Sequence, residues 1–145
     1  MDDLLSQALE RLPHGPEFRF VDRLVQLDPG RKATGEFRVD PAATFLRGHF
    51  PGQPLLPGVL VIEAAAQLAG IVAQSDPVIG PLPGLKLTAV RAAKITGTAS
   101  PGELVRLEAT LTGRLNNLVQ ADVSATVEGR VILQGALTLS GETSR

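Results

Sequence analysis

Hydrophobic and polar residues alternate most clearly near the end of the chain. Across residues 119–127 every second side chain is apolar and the intervening ones are polar, which predicts a strand with one buried face and one wet face. The sequence Glu-Gly-Arg at 128–130 is typical of a turn into a further strand over residues 131–140. Two more strands are predicted at residues 85–95 and 104–112.

The first third of the chain changes from a helical period to a strand pattern. Apolar residues recur at spacings of three and four over residues 2–12, which predicts a short amphipathic helix ending before Pro13. Residues 17–27 and 34–40 have strand-like composition, and the Asp-Pro-Gly turn at 28–30 separates them. These two strands are therefore predicted to pair as a hairpin.

The most apolar segment of the chain, residues 58–73, predicts a buried helix beginning after Pro57. It is too short for a membrane span, and Glu63 and Gln67 lie in its middle. Six strands and one apolar helix favour an α+β fold in which an antiparallel sheet wraps around a central helix. We expect a single domain over residues 1–145, with a frayed polar tail at 141–145.

Composition narrows the classes of function. The chain has 145 residues, a formal charge of -1, no cysteine and two histidines. These numbers argue against a disulfide framework, a thiolate zinc site, a cysteine nucleophile and a histidine-rich metal cluster. Basic residues are scattered, so nucleic acid is not an expected partner. The acidic N-terminus lacks the pattern of a secretory signal, and a cytoplasmic location without membrane attachment is expected.

Three residues are candidates for catalytic roles, two in proton transfer and one in binding an oxyanion. Glu63 lies in the apolar helix with no nearby basic residue, and burial favours the neutral, proton-donating form of a carboxyl. A structural bond from Gln67 to Glu63, one turn on, explains the acid equally well. His49 lies in a loop rich in proline and glycine, where a rigid backbone would support a general base. Gly58 could offer a backbone N–H to a developing oxyanion, or it could simply mark the junction between the loop and the helix.

The run GHFPGQPLLPGVLVIEAAAQ, residues 48–67, closely resembles the FabZ-type 3-hydroxyacyl-acyl-carrier-protein dehydratases. The sequences LPH at 12–14 and VDR at 21–23 are similar to the N-terminal motif of that family. The resemblance implies a hot-dog fold and dehydration of a 3-hydroxyacyl thioester to the trans-2-enoyl thioester, in fatty acid or related lipid or polyketide biosynthesis. It implies no metal and no cofactor.

The resemblance also implies roles for individual residues. His49 would be the base and Glu63 the acid, with Gly58, Phe50 and Gln67 as oxyanion or substrate-binding positions. The partners it implies are an acyl carrier protein and a second copy of the chain, because in the family the two catalytic residues of a site come from different protomers. His14 is interpreted as structural.

The sequence departs from the family pattern at two positions. Gly15 stands where an arginine is usual, and Ile95 lies near the usual place of an aromatic residue in the segment that shapes the acyl tunnel. These departures bear on substrate range and leave His49 and Glu63 intact. Two alternative functions therefore stay open, a hot-dog thioesterase and a non-catalytic hot-dog partner subunit.

Overall fold

The computed structural model describes residues 2–10, 12–15, 18–43, 46 and 55–142. Within these ranges the chain forms two layers, a sheet and a long helix that packs on one face of the sheet. In chain order the elements are α1 (Asp2–Leu9), β1 (Arg23–Asp28), β2 (Lys32–Arg38), α2 (Gly58–Gln74), β3 (Lys86–Ile95), β4 (Leu104–Leu115), β5 (Leu118–Val127) and β6 (Arg130–Ser140).

The sheet has six strands in the order β1-β2-β4-β5-β6-β3, and every neighbouring pair is antiparallel. This confirms the predicted sheet and the predicted hairpin of β1 with β2. The order places β1 and β3 at the two edges. Helix α1 packs against β1, whereas β3 pairs only with β6 among the described strands. Of the two edge strands, β3 is the longer, with ten residues against six in β1.

The core lies between α2 and the sheet. The alternation of β5 is confirmed, since Val119, Val123 and Val127 are buried together with the alanines between them. From the helix, Leu68, Ile71 and Val72 are fully buried against this face. Burial of each such aliphatic side chain contributes about 1.5–3 kcal/mol, so the apolar helix is the main anchor of the fold.

Several predicted boundaries differ from those of the structure. Strand β2 spans Lys32–Arg38 rather than residues 34–40, and β4 continues to Leu115 rather than ending at residue 112. Helix α1 ends at Leu9 rather than residue 12, and β1 begins at Arg23 rather than residue 17. The segment before β1 is not free chain, because the side chain of Gln67 bonds to the backbone of Phe18 and Phe20. At the other end, Gly141 and Glu142 donate backbone bonds to Asn117 and Pro83, so the predicted frayed tail is ordered over those two residues.

The end of α2 is fixed by charged side chains. Arg114 on β4 is nearly buried and donates to the carbonyl oxygens of Ala73, at 3.1 Å, and Gly80, at 2.8 Å. Backbone N–H groups of Ile79 and Val78 hold the pKa of Asp76 below its ordinary value, and Arg114 adds to that effect. These contacts close the turn that leads from the helix to β3. No helix in the described part of the chain is long and apolar enough to cross a bilayer, and the cytoplasmic location stays a prediction.

Candidate active site

A groove of about 510 Å³ runs along one side of α2. Pro13, His14, Glu63 and Gln67 form its polar end, and Gly70 and Leu85 lie further along. The remaining wall comes from the N-terminal segment, the helix, the segment after it, β3 and the last strand, and it is apolar except for Gln74 and Lys86: Leu12, Ala66, Ile71, Gln74, Leu82, Pro83, Gly84, Lys86, Leu87 and Leu139. A groove of this size that combines apolar walls with a few polar groups is typical of a small-molecule site.

Glu63 lies in the second turn of α2 with its carboxylate at the groove. Its side chain is 24% exposed, and its Oε1 atom lies 3.3 Å from His14 Nε2 and 3.4 Å from Gln67 Nε2. The bond with Gln67 that the sequence left open is therefore present, and His14 also lies beside the carboxylate, although no basic residue is near Glu63 along the helix. Its neighbours in sequence are apolar, but the fold supplies polar partners from one turn along the helix and from the N-terminal segment.

Gln67 is the one buried polar residue of the described core. Its Oε1 accepts from the backbone N–H of Phe20 at 2.8 Å, and its Nε2 donates to the carbonyl of Phe18 at 2.9 Å. The same amide nitrogen also donates to Glu63 Oε1 at 3.4 Å. Since both backbone bonds are strong, Gln67 holds the segment before β1 against the helix and fixes one side of the carboxylate.

His14 was missed as a site residue by sequence reasoning. Its ring stacks on Phe18, with centroids 6.2 Å apart and planes 27° apart, and its Nε2 faces Glu63. The carbonyl of His14 accepts from Arg19 Nη2 at 3.4 Å. No local spacing in the sequence signals a contact between residues so far apart in the chain. The contact between His14 and Glu63 becomes visible only in the structure, because the fold brings the LPH motif to the groove.

Gly58 is the first residue of α2, which places its N–H at the positive end of the helix. A Cβ atom at this position would lie 2.6 Å from Ile95 Cδ1, the end of a flexible side chain, so the helix start and β3 approach each other closely here. The wall of the Glu63 groove, as far as the described residues form it, does not include Gly58. Within one chain, the backbone N–H of Gly58 and the carboxyl group of Glu63 therefore do not line the same groove.

His49 and Phe50 lie outside the described residues, as does the rest of the loop 47–54. Their predicted roles stay predictions. In the ranges that the structure describes, no group of three or more histidine, aspartate or glutamate side chains is placed to bind a metal ion.

The sheet, its strand order and the helix with a groove-facing acid define a protein of the hot-dog class. Residues 12–136 match the family described as the FabA-like domain, and the chain belongs to that family. The 3-hydroxyacyl-(acyl-carrier-protein) dehydratase FabZ of Ruminiclostridium cellulolyticum is 37% identical over 133 residues, which cover 91% of this chain and 92% of the relative. The family resemblance of the sequence motifs is thereby confirmed.

Solved structures with little sequence similarity share the fold. The dehydratase heterocomplex ApeI:P from Xenorhabdus doucetiae matches with a TM-score of 0.78 at 16% identity, over 94% of this chain and 91% of that one. Zebra fish thioesterase superfamily member 2 matches with a TM-score of 0.68 at 16% identity, over 94% of this chain and 92% of that one. At these identities the likeness shows the hot-dog fold and does not choose between dehydratase and thioesterase.

Proposed function

We propose that this chain dehydrates 3-hydroxyacyl chains carried by acyl carrier protein, giving the trans-2-enoyl thioester and water, in fatty acid or related lipid or polyketide biosynthesis. The observation that carries the proposal is the carboxyl group of Glu63 at the polar end of an apolar groove. A general acid beside a channel for an aliphatic chain is what elimination of a hydroxyl from an acyl substrate requires. Family membership and the relatives named as FabZ dehydratases support the same reaction.

The reaction balances with two side chains and no cofactor. His49 takes the proton from the carbon alpha to the thioester carbonyl, and the electron pair of that bond forms the new double bond. The bond between the beta carbon and its hydroxyl breaks, and the hydroxyl takes a proton from Glu63 to leave as water. The proton on His49 then returns to the Glu63 carboxylate through solvent. A backbone N–H at Gly58 would polarise the thioester carbonyl during the step.

The test of this function is product analysis with a 3-hydroxyacyl thioester over a series of chain lengths. A dehydratase gives the ultraviolet absorbance of the conjugated enoyl thioester with no free thiol. Release of free thiol without enoyl product would identify a thioesterase and overturn the proposal. Neither product, from folded protein with carrier-bound substrates of every length, would favour a non-catalytic partner subunit.

Gly70 gives a direct test that the groove holds the acyl chain. It lies seven residues after Glu63, which is about 10 Å along the helix axis. A leucine side chain at Gly70 would fill the groove there, so Gly70→Leu should reduce kcat/KM for long-chain substrates about tenfold or more, equivalent to at least ~1.4 kcal/mol. A short-chain substrate that ends before this point should be turned over as by the parent.

The matched control is Gly70→Ala. A Cβ at this position would meet Leu85 Cδ2 at 4.0 Å, an ordinary contact, so alanine leaves the groove open. Replacing a glycine inside a helix by alanine should also stabilise the fold by about 0.5–1 kcal/mol. Equal loss of short and long substrates in Gly70→Leu, measured in steady-state kinetics on folded protein, would contradict a chain-binding role for the groove.

The carrier partner should dock on a local basic surface, because acyl carrier proteins are acidic. We expect some of five basic residues to form this surface: Arg19, Arg23, Arg47, Arg91 and Lys94. In the structure Arg23 forms an ion pair with Glu36, and Arg19 is half-buried against carbonyl groups. Arg91 and Lys94 are exposed on the edge strand β3, whereas Arg47 lies outside the described residues. These exposed β3 cations are the proposed docking charges.

Reversing a single charge distinguishes docking of the carrier on β3 from an effect of the net charge of the chain. Lys94→Glu should raise KM for carrier-bound substrate about fivefold at low salt and leave KM for a small thioester analogue unchanged, as expected for a rim charge worth about 1 kcal/mol. The control, Lys32→Glu, makes the same charge change on the exposed face of β2 and should have no effect. Equal responses of the two variants, or a defect that high salt leaves intact, would contradict docking through β3.

The active unit is proposed to be a homodimer in which each site uses both chains. The edge of β3 that faces away from β6 has no partner among the described strands, and it can pair with the same strand of a second copy across a two-fold axis. Arg91 and Lys94 lie opposite Ala136 and Gln134 of β6, on the outer face of the sheet, so pairing of the backbone edges leaves their side chains free to bind the carrier. The separation of Gly58 from the Glu63 groove supports this arrangement. One chain would supply His49 and the helix start, and its partner would supply Glu63.

A further inference from the structure

We infer that His14 is a positioning residue for Glu63 and that the carboxyl proton used in the reaction is carried on Glu63 Oε2. This inference rests on the proposed function. It concerns the polar end of the groove, where His14, Glu63 and Gln67 meet.

Two nitrogen atoms converge on the same carboxylate oxygen. His14 Nε2 lies 3.3 Å and Gln67 Nε2 3.4 Å from Glu63 Oε1. Gln67 Nε2 also donates to the carbonyl of Phe18, and Gln67 Oε1 accepts from the backbone N–H of Phe20, so the orientation of the amide is fixed. With a hydrogen on each of these nitrogens directed at it, Oε1 has no lone pair left for a proton of its own, because its third in-plane direction is taken by the carbon. The proton of the neutral acid therefore belongs on Oε2.

The environment of the imidazole ring determines which nitrogen donates. His14 Nδ1 is buried without a hydrogen-bond partner, whereas Nε2 faces the carboxylate. A hydrogen on Nδ1 would be a buried donor left unsatisfied, which is costly, while a bare nitrogen there is tolerated more readily. The tautomer with its hydrogen on Nε2 satisfies both conditions. His14 then donates to Glu63 in the same way as Gln67.

The position of the ring is set by packing. His14 stacks on Phe18, which makes an edge contact with Phe20 at 4.9 Å, and Phe20 makes another with Phe37 at 5.4 Å. Phe20 and Phe37 are buried, so this row of rings connects the imidazole to the core. Arg19 donates to the backbone carbonyls of Leu12 and His14 and holds the segment from the other side. Contacts of this kind often tighten when substrate binds, since catalytic hydrogen bonds in ligand-free structures are commonly long.

Two substitutions separate donation from packing. His14→Phe keeps a ring against Phe18 but cannot donate, and His14→Gln loses the ring but can place an amide Nε2 where the imidazole Nε2 lies. We expect His14→Phe to lower kcat about tenfold with KM within about twofold of the parent, and His14→Gln to recover kcat to within about threefold. If His14 acted only through packing, His14→Phe would keep more of the parental kcat than His14→Gln, which is the opposite order.

The outcomes are distinguishable from failure of the proposed function. A parent chain that makes no enoyl product overturns that function and this assignment with it. An active parent with His14→Phe of unchanged kcat, or with His14→Gln as impaired as His14→Phe at equal unfolding temperature, overturns the assignment alone. Nitrogen NMR shifts of the unmodified protein, which has only two histidines, give a test that needs no variant. Hydrogen on Nε2 of His14 is expected, and a neutral ring with hydrogen on Nδ1 would overturn the inference.

Discussion

Glu63→Gln is expected to lower kcat for dehydration by about a hundredfold or more, the usual contribution of a positioned general acid. Glutamine keeps the shape of the side chain and an oxygen for the Gln67 amide, so the surroundings of the helix are preserved. It cannot supply the proton with which the hydroxyl leaves as water. Enoyl formation measured under saturating substrate gives the change directly.

Thermal unfolding is the necessary control for this variant. Because the glutamate side chain is 24% exposed rather than in the closed core, the amide should shift the free energy of unfolding by no more than about 1 kcal/mol. Near-parental dehydration by purified Glu63→Gln would mean that the carboxyl has only the structural role suggested by its bond with Gln67.

Two inactive variants are expected to restore activity when mixed. His49→Ala and Glu63→Gln chains refolded together form mixed dimers that contain one site with both native residues and one with neither. Random pairing makes about half of the dimers mixed, so about a quarter of the parental activity should return, given two-fold symmetry. The measurement is dehydratase activity per total chain after refolding at equal amounts.

Each variant refolded separately gives the baseline for this experiment. Native mass spectrometry establishes that mixed dimers are present. If those samples recover no activity, the catalytic histidine and glutamate of each site come from one chain, and the shared-site proposal is wrong.

The sheet and helix could be predicted because their patterns are strong and local. The strict alternation over residues 119–127 specifies which face of β5 is buried, and the apolar run after Pro57 specifies a helix that needs covering. The segment before β1 was misassigned as strand because its composition suits one. There the amide of Gln67, forty-seven residues away from Phe20, takes the backbone bonds that a neighbouring strand would supply.

The candidate site was predictable only in part. Glu63 stands out in sequence because a charged group in an apolar helix needs an explanation. Its contact with His14 depends on how the N-terminal segment crosses the helix, and nothing in the spacing of the two residues encodes that. The close approach of Ile95 from β3 to Gly58 is likewise a property of the assembled fold.

The central claim is that this groove adds and removes water at the beta carbon of an acyl thioester, and the reverse reaction tests it most directly. The chain is incubated with a trans-2-enoyl thioester in water enriched in the heavy oxygen isotope, and the products are analysed by mass spectrometry. The account predicts heavy oxygen in the new 3-hydroxyl group of an intact thioester, and loss of that label incorporation in Glu63→Gln. Heavy oxygen in a released carboxylate, with free thiol and no hydroxyl product, would contradict it.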